Sequence, residues 1–172
     1  LKTIGLAALD YNDKWNSFPV GGTLLDRAIP GHSWQTFLLP YMDNLALFQK
    51  INLHQPWFAS QNKPHFTTPV SSFKNLAIET NLNQKSDGYA LSHYAANSHL
   101  AKLGESLSLD PANIPDGAGN TLLAGEVVSN FKPWGDPTNH RDPTLGLNTS
   151  PQGFGGPWKD SATGFLMGDG SV

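Results

Sequence analysis

The chain has 172 residues, with 11 Lys plus Arg against 14 Asp plus Glu and no cysteine. A formal charge of −3 gives no electrostatic footing for nucleic acid or an anionic membrane surface, and without thiols there is neither a disulfide framework nor a thiolate metal site. The length suits a single domain over residues 1–172, burying roughly 70% of its unfolded surface, and 17 Gly with 13 Pro describe an α+β chain rich in loops.

Residues 1–19 (LKTIGLAALDYNDKWNSFP) predict a helix ending near Trp15. Leu1, Ile4, Ala8, Tyr11 and Trp15 recur at three- and four-residue steps and share one face; Leu6 and Leu9 widen it, so the helix is expected to lie largely buried against a sheet. No capping residue and no Met precedes Leu1, which leads to the expectation that the natural chain continues upstream as the same helix. Pro19 and the paired glycines after it end the segment. Residues 32–52 read as two helical pieces: Ser33 caps the first, which carries Trp34, Phe37, Leu38 and Tyr41, Pro40 divides them, and Leu45, Leu47, Phe48 and Ile51 anchor the second. Residues 52–85 show no sustained period and read as a long ordered loop with short strands around Phe66 and residues 76–79.

Residues 88–97 carry a strand signal in which Tyr89, Leu91 and Tyr94 face one way. Pro115-Asp116-Gly117 is a tight-turn signal, and residues 120–128 (NTLLAGEVV) are the clearest strand, with Gly125 read as a bulge. Residues 130–156 form a second Gly/Pro/Asn-rich excursion, and residues 163–172 pair a short apolar strand with an Asp169-Gly170 hairpin turn whose second arm would follow Val172. No apolar run approaches the roughly 18 residues of a membrane span, and no fixed-period repeat occurs.

The six histidines make no H-E-x-x-H pattern, and Ser92-His93 and Ser98-His99 are sequence neighbours without a G-x-S-x-G elbow, so the chain is read as non-enzymatic. Turn carboxylates and amides are the alternative set: Asp116, Asn120, Glu126 and Asp169, with Asp110 and Asp160 in reserve, are hard oxygen ligands of the kind calcium takes, although no EF-hand spacing is present. The competing reading is that Asp116 and Asp169 hold their own turns through Asx hydrogen bonds and that Asn120 caps a loop. Glu126, following Gly125 in a strand, needs a partner if buried, and Arg141, Lys132 or backbone groups are available. Trp57, Trp134, Trp158 and Phe154 sit in polar loops, either as a glycan-binding surface or as plugs that anchor loops onto a sheet. Asn148-Thr149-Ser150 fits the glycosylation sequon.

Four stretches together resemble the DUF1559 family of planctomycete and related bacterial proteins, which carry a prepilin-type N-terminal segment and a C-terminal H-x9-DG signature. Residues 1–22 look like the family's segment after the membrane-spanning half of the helix, and residues 33–57 like its second block. IPDGAGNTLLAGEV resembles its DG-x-x-N-T-x-x-x-GE block, through Asp116, Gly117, Asn120, Gly125 and Glu126, and GFLMGDGSV resembles its terminal element, through Asp169 and Gly170. Lys159 stands where the signature has His, and the cysteines of many relatives are absent. The resemblance implies a pilin-like α+β fold, in which an N-terminal helix lacking its hydrophobic half packs on an antiparallel sheet with long loops. It also implies a non-enzymatic, membrane-anchored subunit of the cell envelope or exterior, self-assembling through the helix face Leu1, Ile4, Ala8, Tyr11 and Trp15. The alternative expectation is an extracellular binding module for a glycan or for calcium, with no other cofactor.

Overall fold

The computed structural model describes residues 1–78, 87–107, 114–157 and 162–172. Helix α1 spans Lys2–Trp15 and ends where Asn16 turns left-handed (φ 51°) and its N–H bonds Asn12 O, a conformation that Asn tolerates better than most residues. Its buried stripe is Ile4, Gly5, Ala7 and Ala8. These small side chains let the helix come close to the end of the chain: a Cβ added to Gly5 would lie 2.7 Å from Leu166 Cδ1 and 3.1 Å from Gly170 O. The expected face is only partly inside. Ile4 and Ala8 are buried and Leu1 and Tyr11 half-buried, but Trp15 is 58% exposed. Leu6, expected to widen the buried sector, is 56% exposed, because two residues along the helix rotate a side chain about 200° away from Ile4. Trp15 points to the same side as Ile4 but lies at the helix end, where its Nε1 donates to Tyr41 Oη at 3.0 Å.

Strands β1 (Gly22–Leu25) and β2 (Ile29–Ser33) form an antiparallel hairpin that the sequence signals did not mark. Its turn is an Asp26-Arg27 pair, both with positive φ (48° and 62°), in the geometry for which glycine is the usual flag. Helix α2 (Trp34–Leu38) follows at once, and Ser33 caps it as expected by accepting from the Thr36 N–H. Pro40 lies within a 3-10 turn, Leu39–Tyr41, that separates α2 from α3 (Leu45–Phe48). Around Phe66 the chain is helical, α4 spanning Lys63–Phe66, in place of the expected strand: Pro64 occupies the first turn, where its missing N–H costs nothing. Leu76 is 95% exposed in a turn, and Glu79, at the end of the other expected strand, lies outside the described residues.

The second sheet has four strands in the order β5-β3-β4-β6: β3 is Tyr94–Asn97, β4 Leu122–Glu126, β5 His140–Arg141 and β6 Phe165–Met167. β3–β4 and β4–β6 are antiparallel, but β5 joins β3 in parallel, so the sheet is mixed where an antiparallel one was expected. Gly125 is not the bulge; the register of β4 against β6 shifts between Leu122 and Ala124. Gly125 instead admits two rings, for a Cβ there would meet Phe165 at 2.5 Å and Phe154 at 2.9 Å. Phe154 and Phe165 pack edge to face at 5.5 Å over this point and belong to a small second core with Ala95 and Val127. The main core joins α1 and α2 to the other side through Ile4, Leu38, Ala124 and Leu166.

Because the neighbours of Gly125 are packed rings, Gly125→Ala should destabilise the fold by about 1–3 kcal/mol, read as a lower urea midpoint with an unchanged slope. An unaltered midpoint would show that the rings can move aside freely.

Candidate functional site

The two DG blocks, 53 residues apart in sequence, meet in space. Gly117 N–H bonds Ile114 O at 2.9 Å, closing the first turn, and Asn120 Nδ2 donates to the Asp116 carbonyl at 2.9 Å. At the second, Gly170 adopts φ 82° and its N–H reaches Met167 O at 3.0 Å. Asp169 Oδ1 accepts from the Ser171 N–H and hydroxyl at 2.9 and 2.6 Å, and these bonds hold its carboxyl below the usual carboxylate range. The Gly168 N–H donates to Thr121 O at 2.8 Å, and Asp169 Oδ2 would lie 3.0 Å from a Cβ on Gly119. Helix α1 covers the junction, since Leu9 Cδ1 would lie 2.5 Å from a Cβ on Gly170.

This geometry splits the calcium set. Asp116 offers its backbone oxygen to Asn120, and Asp169 spends one oxygen on its own turn. Glu126 is committed elsewhere: Oε1 accepts from Asn75 Nδ2 at 2.8 Å and Oε2 from the Gly164 N–H at 2.9 Å. Among the described residues, no group of three His, Cys, Asp or Glu side chains is placed to hold a metal ion. Asp110 and Asp160 lie outside the described residues. Nor do Arg141 and Lys132 serve Glu126. Arg141, 1% exposed, donates to His140 O at 2.8 Å and Asn130 O at 2.7 Å, while Lys132 Nζ donates to Thr138. An amide and a backbone N–H thus satisfy Glu126 without a buried ion pair.

The aromatic residues divide as well. Trp134 is fully buried and Phe154 is 1% exposed, so neither presents a ring to a glycan; both plug loops onto the core. Trp57 packs edge to face with Tyr89 at 4.6 Å and Phe58 at 5.9 Å. Trp158 and Lys159 lie outside the described residues. An exposed aromatic surface that the loop reading missed lies at the end of α1. An open groove of about 420 Å³ there is lined by Tyr11, Trp15, Phe37, Tyr41 and Phe48, with Lys14 at its side. Its signal lay in Tyr11 and Trp15 at i and i+4 of a helix, which the sequence pattern assigned to packing.

The serine–histidine neighbours are built into the structure in other ways. Ser92 Oγ accepts from Gln35 Nε2 at 2.8 Å, His93 Nδ1 accepts from the Asn75 N–H at 2.8 Å, and His99 Nε2 lies 3.2 Å from Asp142 Oδ1. Burial lowers the pKa of His93, and likewise of His32 and His140. Burial, with the charge of Glu126 as a smaller cause, pushes the Tyr94 hydroxyl up to about 12, which keeps it a donor.

A short N-terminal helix, a two-stranded hairpin and a mixed four-stranded sheet, locked by a glycine-turn junction, define a mixed α/β protein. Residues 1–84 match the family model described as "Protein of unknown function (DUF1559)", so over that stretch the chain is similar to the DUF1559 family. The match covers α1 to α4; the two DG blocks lie beyond it. No curated protein matches the chain, and no solved structure does.

Two outcomes follow from the site. The three histidines are held neutral in the fold but have a pKa of about 6.5 when unfolded. The unfolded chain therefore binds more protons below that value, and the melting temperature should be level above about pH 7 and fall as the pH drops through about 6.5 to 5. A melting temperature that rises on this acidification would contradict the burial of these imidazoles. Calcium added in excess should leave the melting temperature where a chelator leaves it, since a ligand that binds only the folded state would raise it.

Proposed function

We propose that the chain is the head of a non-enzymatic, pilin-like subunit of the cell envelope or exterior, anchored to the membrane by an apolar upstream continuation of α1 and able to assemble through that helix. The observation that carries this reading is the division of α1 into two faces. Ile4, Gly5, Ala7 and Ala8 are buried against the protein's own β6 and glycine turn, while Leu6, on the opposite side, stands 56% exposed. A stem shared with neighbouring subunits needs one face seated in the head and another left open, and here the open face presents Leu6 among Lys2, Thr3, Asp10 and Asp13. The DUF1559 match over α1 supports it, because the resemblance that implies a prepilin-type segment rests on the same residues. Among the described residues no helix is long and apolar enough to cross a membrane, so in this reading the anchor lies upstream.

Sequencing upstream in the native gene should reveal about 20 predominantly apolar residues directly joined to α1; a polar upstream segment would sink the reading. In the full-length protein, Leu6→Asp should abolish assemblies seen by electron microscopy while changing the head's stability by no more than about 0.5 kcal/mol, as surface substitutions do. Assembly that survives Leu6→Asp would remove α1's outer face from the interface.

A further inference from the structure

The groove at the end of α1 has features of a built site rather than of loose packing. Trp15 is 58% exposed, yet its indole is held in place. Its Nε1 donates to Tyr41 Oη at 3.0 Å, the Tyr11 ring lies 6.3 Å from it and meets Tyr41 edge-on at 5.6 Å, and the Lys14 ammonium sits 5.5 Å over its face. An exposed aromatic side chain with its rotamer set in advance loses little further entropy when a ligand stacks on it. The Asn16 cap that ends α1 places Trp15 at the last helical position, so the platform stands at the rim rather than inside the core. At about 420 Å³ the groove falls in the range of small-ligand sites, about 300–1,000 Å³.

The lining chemistry narrows the occupant. Aromatic faces bordered by the Tyr41 hydroxyl, with Pro40 and the half-exposed Leu45 completing the lining and the indole N–H already given to Tyr41 Oη, suit a ligand that offers both C–H faces and hydroxyl edges. Lys14 is the one charged residue among those lining the groove, while the acidic residues of the same helix, Asp10 and Asp13, do not line it. A cationic ligand would meet Lys14 on the face of Trp15, whereas a carboxylate would be drawn to it in a chain whose formal charge is −3. We propose that this groove binds an acidic saccharide of the uronic acid class, a pyranose ring stacking on Trp15 beside Tyr41 and its carboxylate meeting Lys14. The site lies apart from the outer face that carries Leu6, but it shares Tyr11 and Trp15 with the helix face from which the sequence leads one to expect assembly, so a second copy of the chain is the competing occupant.

Isothermal titration with trigalacturonate, and with maltotriose as the neutral counterpart, tests this. Saturable binding of trigalacturonate is expected, weakened about tenfold or more by Trp15→Ala and about two- to fivefold by Lys14→Gln. Added salt should weaken it in the parent chain but far less in Lys14→Gln. Lys14→Gln should keep the parent melting temperature; Trp15→Ala loses the bond to Tyr41 and should lower it slightly, with a cooperative transition showing that the fold is kept, and that measurement is run alongside. Absence of saturable binding, unchanged affinity in Trp15→Ala, or equal affinity for maltotriose would overturn the proposal. So would a concentration-dependent dimer in sedimentation that Trp15→Ala dissolves, because the groove would then belong to a second copy of the chain.

Discussion

The indole of Trp134 ties together parts of the chain that share little regular secondary structure. It is fully buried, with its ring 4.5 Å from Phe66 and 6.0 Å from Phe73, and its Nε1 donates to Thr68 O at 3.0 Å. Its backbone N–H bonds Ala90 O at 3.0 Å, and its carbonyl accepts from the Ser33 hydroxyl at the start of α2. One residue thus joins the loop after α4, the entry to β3, the long excursion after β4 and the cap of α2. Removing a side chain so placed costs about 3–5 kcal/mol, a large share of the roughly 5–15 kcal/mol by which domains are stable. Few other features could order the loops, because most of their backbone hydrogen bonds are not part of a ladder.

The same economy governs the interior polar groups. Gln35, Ser92 and Asn139 are fully buried and form a chain: Gln35 Nε2 to Ser92 Oγ at 2.8 Å, and Asn139 Nδ2 to Gln35 Oε1 at 3.3 Å and to Tyr94 O at 2.9 Å. Each bond contributes only about 1 kcal/mol net, but a buried group left unpaired costs about 1–3 kcal/mol, so the network acts chiefly as a constraint on which partners may meet. It fixes α2 against β3 and against the residue preceding β5. Arg141 extends the constraint to the sheet edge, where two carbonyl oxygens rather than a carboxylate receive its guanidinium. A strand of only two residues, β5, is held in parallel there by side-chain bonds as much as by its ladder.

The glycine-turn junction connects this interior to the helix on which assembly is proposed. Gly5 and Gly170 remove the volume that would keep α1 off β6, and the hydrogen bond from Gly168 to Thr121 draws the two DG turns together beneath it. Asp169 then works inside its own turn, and Glu126 ties the segment at Asn75 to that at Gly164. The residues of the two DG turns therefore carry architecture, which brings α1 onto β6 and leaves Trp15 exposed at the end of the helix while Tyr11 packs against the core.

Much of the local structure was legible in residue order. The helix ending at Trp15, the Ser33 cap, the break at Pro40, the turns at Gly117 and Gly170 and the strand before Glu126 all follow from propensity and turn chemistry acting over a few residues. The hairpin turning at Asp26-Arg27 was not legible, because its positive φ values fall on residues without glycine's freedom and are imposed by pairing. Nor was the fate of each aromatic side chain: Trp134 read as an aromatic in a polar loop and Trp15 as part of the packing face of a helix, yet the first is the core's keystone and the second a rim platform. Burial depends on what lies across the fold, and the partners of Glu126, 51 and 38 residues away, are likewise set by long-range approach. Sequence alone determined where the chain turns, coils and extends; only the tertiary structure decided which faces of those elements are covered, because covering is a property of two surfaces and local chemistry specifies one.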